Sequence, residues 1–195
     1  FVSFSFCPYI NLAIESVLLE DKNICEKKCV FIWRNSPSVI IGRFQNPWQE
    51  CSMRKMSISG AQLCRRESGG GAVYHDIGNV NFTFFDRSQT LKREKCMNFM
   101  ADFLKLNYKL NVKSTKRHDL ILDDIYKISG SSAKILKGRS YHHCSLLCGS
   151  DLSALNDLLS PSLSSLESRA TKSLKSVVHN LFYSYSSTQH NELIR

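Results

Sequence analysis

The stretch RRESGGGAVYHDIGNVN, Arg65 to Asn81, sets three consecutive glycines between a pair of arginines and a Tyr-His-Asp triplet. Glycine enters left-handed backbone and lets a chain approach its neighbour closely. Successive peptide N–H groups in such a loop converge on an anion. Arg65 and Arg66 add donors suited to phosphate or carboxylate. No Gly-Lys-Ser/Thr follows, so this is not a Walker loop, and G-x-G-x-x-G is absent too. A tight turn between strands also uses glycine. The polar crowd of Ser68, Tyr74, His75, Asp76, Asn79 and Asn81 argues for more than a turn.

Downstream, VNFTFF (80–85) alternates as a strand. Upstream, VFIWR (30–34) and SVIIG (38–42) flank NSPS, which predicts a hairpin. NPWQE (46–50) marks a loop or helix start. Leu12 to Leu19 reads as a helix with Leu12, Ala13, Ser16, Val17 and Leu19 inward and Asn11 as N-cap. Residues 91–107 form an amphipathic helix with Cys96, Met100, Phe103 and Leu104 inward. DLILD (119–123) and IYKIS (125–129) suggest a second hairpin, and YHHCSLLC (141–148) a strand. DLSALNDLL is a helix capped by Asp151. SLKSVVHNLF predicts a last helix with Leu174, Val177, Val178 and Leu181 on one face. The Ser-rich stretch 160–168 reads as a surface loop and residues 183–195 as a polar, fraying tail. Hairpins followed by single helices give an α+β fold with a mostly antiparallel, mixed sheet and flanking helices.

The 195 residues suffice for one domain with a sizeable core, at 43% hydrophobic. The net charge of +9 points to an acidic or phosphate-bearing partner. Lys92 to Arg117 concentrates eight bases against Glu94 and Asp102. Eight cysteines occur without a secretory leader, several in apolar runs, so reduced thiols are expected. On a strand, Cys144 and Cys148 stand about 13 Å apart. Two thiolates on one zinc lie about 4 Å apart, so no metal site is expected there. Cys25 and Cys29 have no matching pair nearby. The apolar runs are too short to span a bilayer.

A second constellation is TKRHDL (115–120) followed by YKISGSSAK (126–134). Lys127 alternates with Tyr126 and Ile128 in an apolar strand. A lysine there either meets an anion or points outward from an edge strand.

Together these segments resemble the lipoate–protein ligase and lipoyltransferase family. The pieces run in family order: NLAIE (11–15), NSPSVIIGRFQNPWQEC (35–51), RRESGGGAVYHDIGNVNFTFF (65–85), TKRHDLILD (115–123), YKISGSSAK (126–134), YHHCSLLC (141–148) and SLKSVVHNL (173–181). The wording of the second and sixth is similar to mitochondrial lipoyltransferases of animals rather than to bacterial ligases. The resemblance implies a biotin/lipoate ligase-like catalytic domain over 1–182. It implies transfer of lipoate from lipoyl-AMP to a lysine of acidic lipoyl domains in 2-oxoacid dehydrogenase complexes and the glycine cleavage H protein. A mitochondrial monomer is implied, with no nucleic acid, membrane or tightly bound cofactor; ATP and Mg²⁺ enter only if the chain also activates lipoate. Lys127 matches the essential lysine. Arg65, Ser68, Gly69, Gly70, Gly71, Tyr74, Asn79, Arg117, Ser145 and Thr171 match ligand-contact positions. His142 and His143 are expected as framework residues. Long members add a C-terminal accessory domain, which is expected to be missing here. Biotin ligation lacks its Gly-Arg-Gly loop, and octanoyl transfer lacks a cysteine directly after Lys127. A non-catalytic basic binding module is the alternative from another class.

Overall fold

The computed structural model describes residues 1–87, 92–161 and 167–182. Helices α1 (Pro8–Glu20) and α2 (Lys22–Glu26) precede β1 (Val30–Trp33) and β2 (Ser38–Ile41); α3 (Pro47–Glu50) and α4 (Met53–Ser59) lead to β3 (Gln62–Arg65), β4 (Val73–His75) and β5 (Asn79–Asp86). Then come α5 (Arg93–Tyr108), β6 (Val112–Ser114), β7 (Leu120–Leu122), β8 (Tyr126–Lys127), β9 (Ser129–Leu136), β10 (Arg139–Leu147) and α6 (Leu152–Leu158). Three sheets result, ordered β1-β5-β10-β9, β3-β2-β4 and β6-β7-β8. Only the β2–β3 pair is parallel among these ladders. This is the expected mixed, mostly antiparallel α+β architecture.

The four-stranded sheet divides the core. Val80, Phe82, Cys144 and Leu146 pack on Met97, Met100, Ala101 and Leu104 of α5. On the opposite face Phe31, Trp33, Phe85 and Tyr141 pack with Leu19 and Cys25. Both central strands are therefore buried on both sides, and β5 keeps its polar–apolar alternation while Asn81 and Thr83 are buried like Val80 and Phe82.

Helix α1 starts earlier than its periodicity suggests. Pro8 occupies its first turn after Cys7, so Asn11 is not the N-cap. Asn11, Glu15 and Leu19, four residues apart, form the buried stripe, while Val17 is exposed. Asn11 donates to the carbonyls of Ser5 and Arg34 and to Asn35 Oδ1. In α5, Met97 takes the deepest position and Cys96 and Phe103 are half-buried.

The expected hairpin of β1 and β2 does not form. β1 pairs with β5, whereas β2 lies between β3 and β4. The NSPS link changes sheets, with Asn35 fully buried between Asn11 and the Nδ1 atom of His75. The second hairpin does form, as β7 and β8, with Asp123 and Asp124 both at positive φ. Asn46 and Asp151 cap α3 and α6 through their side chains.

Residues 173–181 are extended, not helical. Their backbone bonds sideways: Lys127 N donates to Val177 O (3.4 Å), His179 N to Lys127 O (2.9 Å) and Leu181 N to Leu147 O (2.6 Å). Consecutive valines favour such pairing over a helix. Leu181 alone of the expected apolar face is buried; Leu174 and Val177 are exposed. Most of the Ser-rich stretch and the whole tail 183–195 lie outside the described residues.

His142 is fully buried on the α5 side, against Phe84. Neither ring nitrogen has a hydrogen-bond partner among the described residues. Burial, then the nearby Arg93, lowers its pKa to about 3. The folded state thus holds it neutral, and the unfolded state binds the extra proton below pH 6.5. Its stabilising preference is full above that value and is lost as pH falls towards 3. His142→Phe is expected to leave the urea midpoint at pH 7 unchanged or raised. Its advantage over wild type should grow by about 1.4 kcal/mol per pH unit below 6.5. Parallel stability curves of the two proteins from pH 7 to 4.5 would contradict this.

Candidate active site

Sheet register builds the site. Trp33, Asn81, Ser145 and Gly130 are aligned across β1, β5, β10 and β9. All four line a cavity of about 340 Å³ on the α1 side. His143 and Ser132, from the neighbouring row, line it as well. Its deep end is closed by Leu12, Trp33 and Ile40, and its mouth by Arg117, Thr171 and Lys172. A second cavity of about 450 Å³ adjoins it, walled by Tyr74, Leu147, Leu155, Leu159 and Val178. Ala72, Val73, Lys127, Gly130, Ser145 and residues 172–174 belong to both.

Lys127 therefore stands where the cavities meet. Its Nζ lies 3.0 Å from Asp119 Oδ2, with the two side chains 23% and 14% exposed. Asp119 itself lines the first cavity. Lys127 is thus partly shielded from water, with one carboxylate beside it. Ser145 Oγ accepts from the Gly130 peptide at 3.3 Å.

Of the other expected ligand positions, Gly70, Gly71, Arg117 and Thr171 line the first cavity and Tyr74 the second. Burial pushes the Tyr74 hydroxyl up to about 12, so it stays protonated. Four expected residues line neither cavity. Arg65 directs Nη1 at the carbonyls of Gly42, Arg43 and Gln45, away from the cavities. Ser68 Oγ accepts from Arg66 Nε and meets His143 Nε2, both at 3.0 Å. The Gly69 carbonyl accepts from Arg66 and from Ser132 Oγ. Asn79 donates to Asn81 Oδ1 at 3.0 Å and so orients the asparagine that does line the wall.

Arg66 is the residue that motif reading underweights. It is 5% exposed and donates to the carbonyls of Ile40 (3.0 Å), Gly69 (2.6 Å) and Gly71 (2.8 Å). Burial lowers its pKa to about 10, which still leaves it charged at neutral pH. Its fork ties two carbonyls of the glycine loop, Gly69 and Gly71, to the Ile40 carbonyl of β2.

Behind it runs a buried relay. Trp33 Nε1 donates to Thr83 Oγ1 (3.0 Å) and Thr83 Oγ1 to Glu15 Oε1 (2.7 Å). Glu15 Oε1 also meets His143 Nδ1 at 2.9 Å. Burial alone would raise the Glu15 carboxyl, but His143 and the hydrogen bonds of His143 and Thr83 bring it below its ordinary value. A carboxylate only accepts, so His143 Nδ1 carries the proton. Glu15 and Asn81 were both within reach of sequence reasoning. Glu15 lies one helical turn after Asn11, and Asn81 shares a strand face with Asn79.

All eight cysteines are free thiols. Burial pushes Cys144 and Cys148 up to about 12, which suits inert core thiols rather than nucleophiles. Among the described residues no three His, Cys, Asp or Glu side chains are grouped to hold a metal. No helix among them is long and apolar enough to cross a membrane.

The sheet arrangement is similar to that of solved lipoate–protein ligase structures, among them lipoate-protein ligase A bound with ATP, at TM-score 0.72 and 25% identity. The crystal structure of P. falciparum LipL1 in complex with lipoate aligns at TM-score 0.77 and 33% identity, over 82% of this chain and 51% of that one. The chain belongs to the family described as lipoyl protein ligase A/B catalytic domain, whose model matches residues 7–194. It is 45% identical over 174 residues to the mitochondrial lipoyl amidotransferases LIPT1 of Homo sapiens and Mus musculus, covering 89% of this chain. It spans 47% of their length, about half of each curated relative.

The glycines serve the approach of chain to chain. Gly70 adopts φ +86°, and a Cβ on Gly42 would stand 2.1 Å from the Gly70 carbonyl oxygen. That neighbour is backbone, so the loop itself would have to move. Gly42→Ala is expected to destabilise the fold by about 1–3 kcal/mol, the range for overpacking. The loss is read as a lower urea midpoint, and an unchanged midpoint would show that the loop takes the extra methyl group without moving.

Proposed function

We propose that this chain transfers the lipoyl group from lipoyl-AMP to a lysine of acidic lipoyl domains, those of 2-oxoacid dehydrogenase complexes and the glycine cleavage H protein. The carrying observation is Lys127 at the junction of two cavities, with the glycine loop on one side and Ser145 on the other. The apolar deep end of the first cavity suits a hydrocarbon acyl chain. The second, edged by Lys172, Lys175 and Ser176, suits a nucleotide. The mixed anhydride then crosses the junction.

The acceptor's lysine, as free amine, attacks the acyl carbon. The carbon–oxygen bond to phosphate breaks, AMP leaves with the bonding pair, and the attacking nitrogen gives up one proton to solvent. Negative charge develops first on the acyl oxygen and then on the departing phosphate. The Lys127 ammonium stabilises both, and Asp119 holds it in place beforehand. No covalent enzyme intermediate arises, so the protein acts by positioning and charge.

No tightly bound cofactor is required; lipoyl-AMP is a substrate, and ATP with Mg²⁺ serves only if the chain also activates lipoate. The similarity to mitochondrial amidotransferases supports a mitochondrial setting. The net charge of +9 supports an acidic acceptor through electrostatic steering.

The test is the intact mass of an apo lipoyl domain incubated with this protein and lipoyl-AMP, and separately with lipoate, ATP and Mg²⁺. A lipoyl mass gain with lipoyl-AMP is expected. Lys127→Ala should lower the transfer rate about 100- to 1,000-fold, the cost of a missing oxyanion donor. No gain in either mixture from folded protein would overturn the proposal. Raising salt from 50 to 300 mM should slow transfer to the domain, and a flat series would remove the steering argument.

A further inference from the structure

The segment from Thr171 to His179 crosses the cavity junction and is fastened at its two ends, and Thr171 N also donates to the Phe44 carbonyl at 3.1 Å. Its far end is tied to Lys127 itself, through the Lys127 peptide to Val177 O and His179 N. Its near end is tied to Glu50, a 6%-exposed carboxylate at the last position of α3. Glu50 Oε1 and Oε2 accept from Ser173 N at 3.2 and 3.3 Å, and Oε2 also accepts from Ser173 Oγ. The same hydroxyl oxygen accepts from Gln45 Nε2 (3.0 Å) and from the Ala72 peptide (2.8 Å), directly after the glycines. A Cβ on Gly71 would stand 2.9 Å from it. The adjoining Lys172 and Leu174 form walls of both cavities.

We propose that Glu50 is a positioning residue for the ligand: through Ser173 it latches the 171–176 strap onto the glycine loop and so places Lys172 at the cavity junction. Glu50 lines the second cavity, but both of its oxygens are already committed to Ser173. The two anchors are independent. Losing Glu50 loosens the near end of the strap, where Phe44, Gln45 and Ala72 still bond to Thr171 and Ser173, and leaves Val177 and His179 on Lys127. The latch therefore governs ligand affinity more than the chemical step. The ligand assignment rests on the function proposed above; the latch itself does not.

Lys172 and Lys175 lie in the latched stretch and are exposed, so trypsin reads its opening directly. Wild type, Glu50→Gln and Ser173→Ala are digested under native conditions, with cleavage after Lys172 and Lys175 followed by mass spectrometry. Lipoyl-AMP affinity is measured by calorimetry without acceptor, and kcat with a lipoyl domain. Both variants should be cleaved there about tenfold faster and bind lipoyl-AMP about tenfold more weakly, with kcat within threefold of wild type. The double variant should lose less than the sum of the two single losses, since the Ser173 Oγ–Glu50 bond is common to both. Ser173→Ala removes only one hydroxyl and keeps the result readable if Glu50→Gln fails to fold. Wild-type cleavage rates in both variants would overturn the latch. Faster cleavage with unchanged affinity would overturn the positioning role and keep the strap structural. A wild type that binds no lipoyl-AMP would overturn the functional reading and the positioning role together, while cleavage would still decide the latch.

Discussion

The register of the four-stranded sheet is the constraint on which the rest depends. Side chains on a strand alternate faces, so a slip of one residue exchanges the two sides of the sheet. In the observed register, Val80, Phe82, Cys144 and Leu146 meet α5, and Asn81, Thr83, His143 and Ser145 face α1 and the cavity. A one-residue slip of β10 would press Ser145 and His143 into the Met97–Leu104 core. Buried polar groups without partners there would cost several kcal/mol. Hydrophobic packing on one face thus fixes the polar floor on the other. The site's geometry follows from the core and needs no separate device.

What the sheet cannot fix is the loops above it, and there three buried charged side chains act. Glu15 ties α1 to β5 and β10, Arg66 gathers the glycine loop, and Glu50 fastens the strap. A buried charge is unfavourable unless hydrogen bonds surround it. Each of the three is surrounded, and each has backbone or fixed side-chain partners rather than open space. Their effect is specificity of placement: several chain segments with little apolar surface of their own acquire one arrangement.

This division explains what could be read from the chain. Helices α1, α5 and α6 and strands β5, β7 and β10 announced themselves by period and caps, because local rules decide them. The hairpin at 30–42 did not form because each strand found a partner distant in sequence, at Asn81–Phe84 for β1 and at Gln62–Arg65 and Val73–His75 for β2. Residues 173–181 carry helix-like spacing, yet only Leu181 reaches the core, and lateral bonds to Lys127 and Leu147 take the backbone instead. In the site, motif position located the loop correctly but not the direction of each side chain. Arg65 and Arg66 are adjacent, yet Arg65 holds residues 42–45 and only Arg66 holds the glycine loop. Asn79 and Asn81 share a face, and only the second reaches the wall. Glu50 gives almost no local signal, because its partner Ser173 lies far along the chain.

Lys127 shows the same limit in one residue. Alternation puts Ile128 in the core, where it is fully buried, and therefore Lys127 on the other side of a two-residue strand. For an isolated edge strand that other side is water, and the lysine would be an ordinary surface charge. Here the edge is covered, because Val177 and His179 bond to the Lys127 peptide, with Val178 between them on the wall of the second cavity. The parity of the lysine is thus a local property, while its seclusion is supplied from fifty residues away. A lysine so placed has one neighbouring carboxylate, two cavities and little solvent, which is the setting in which a single positive charge has its largest electrostatic effect.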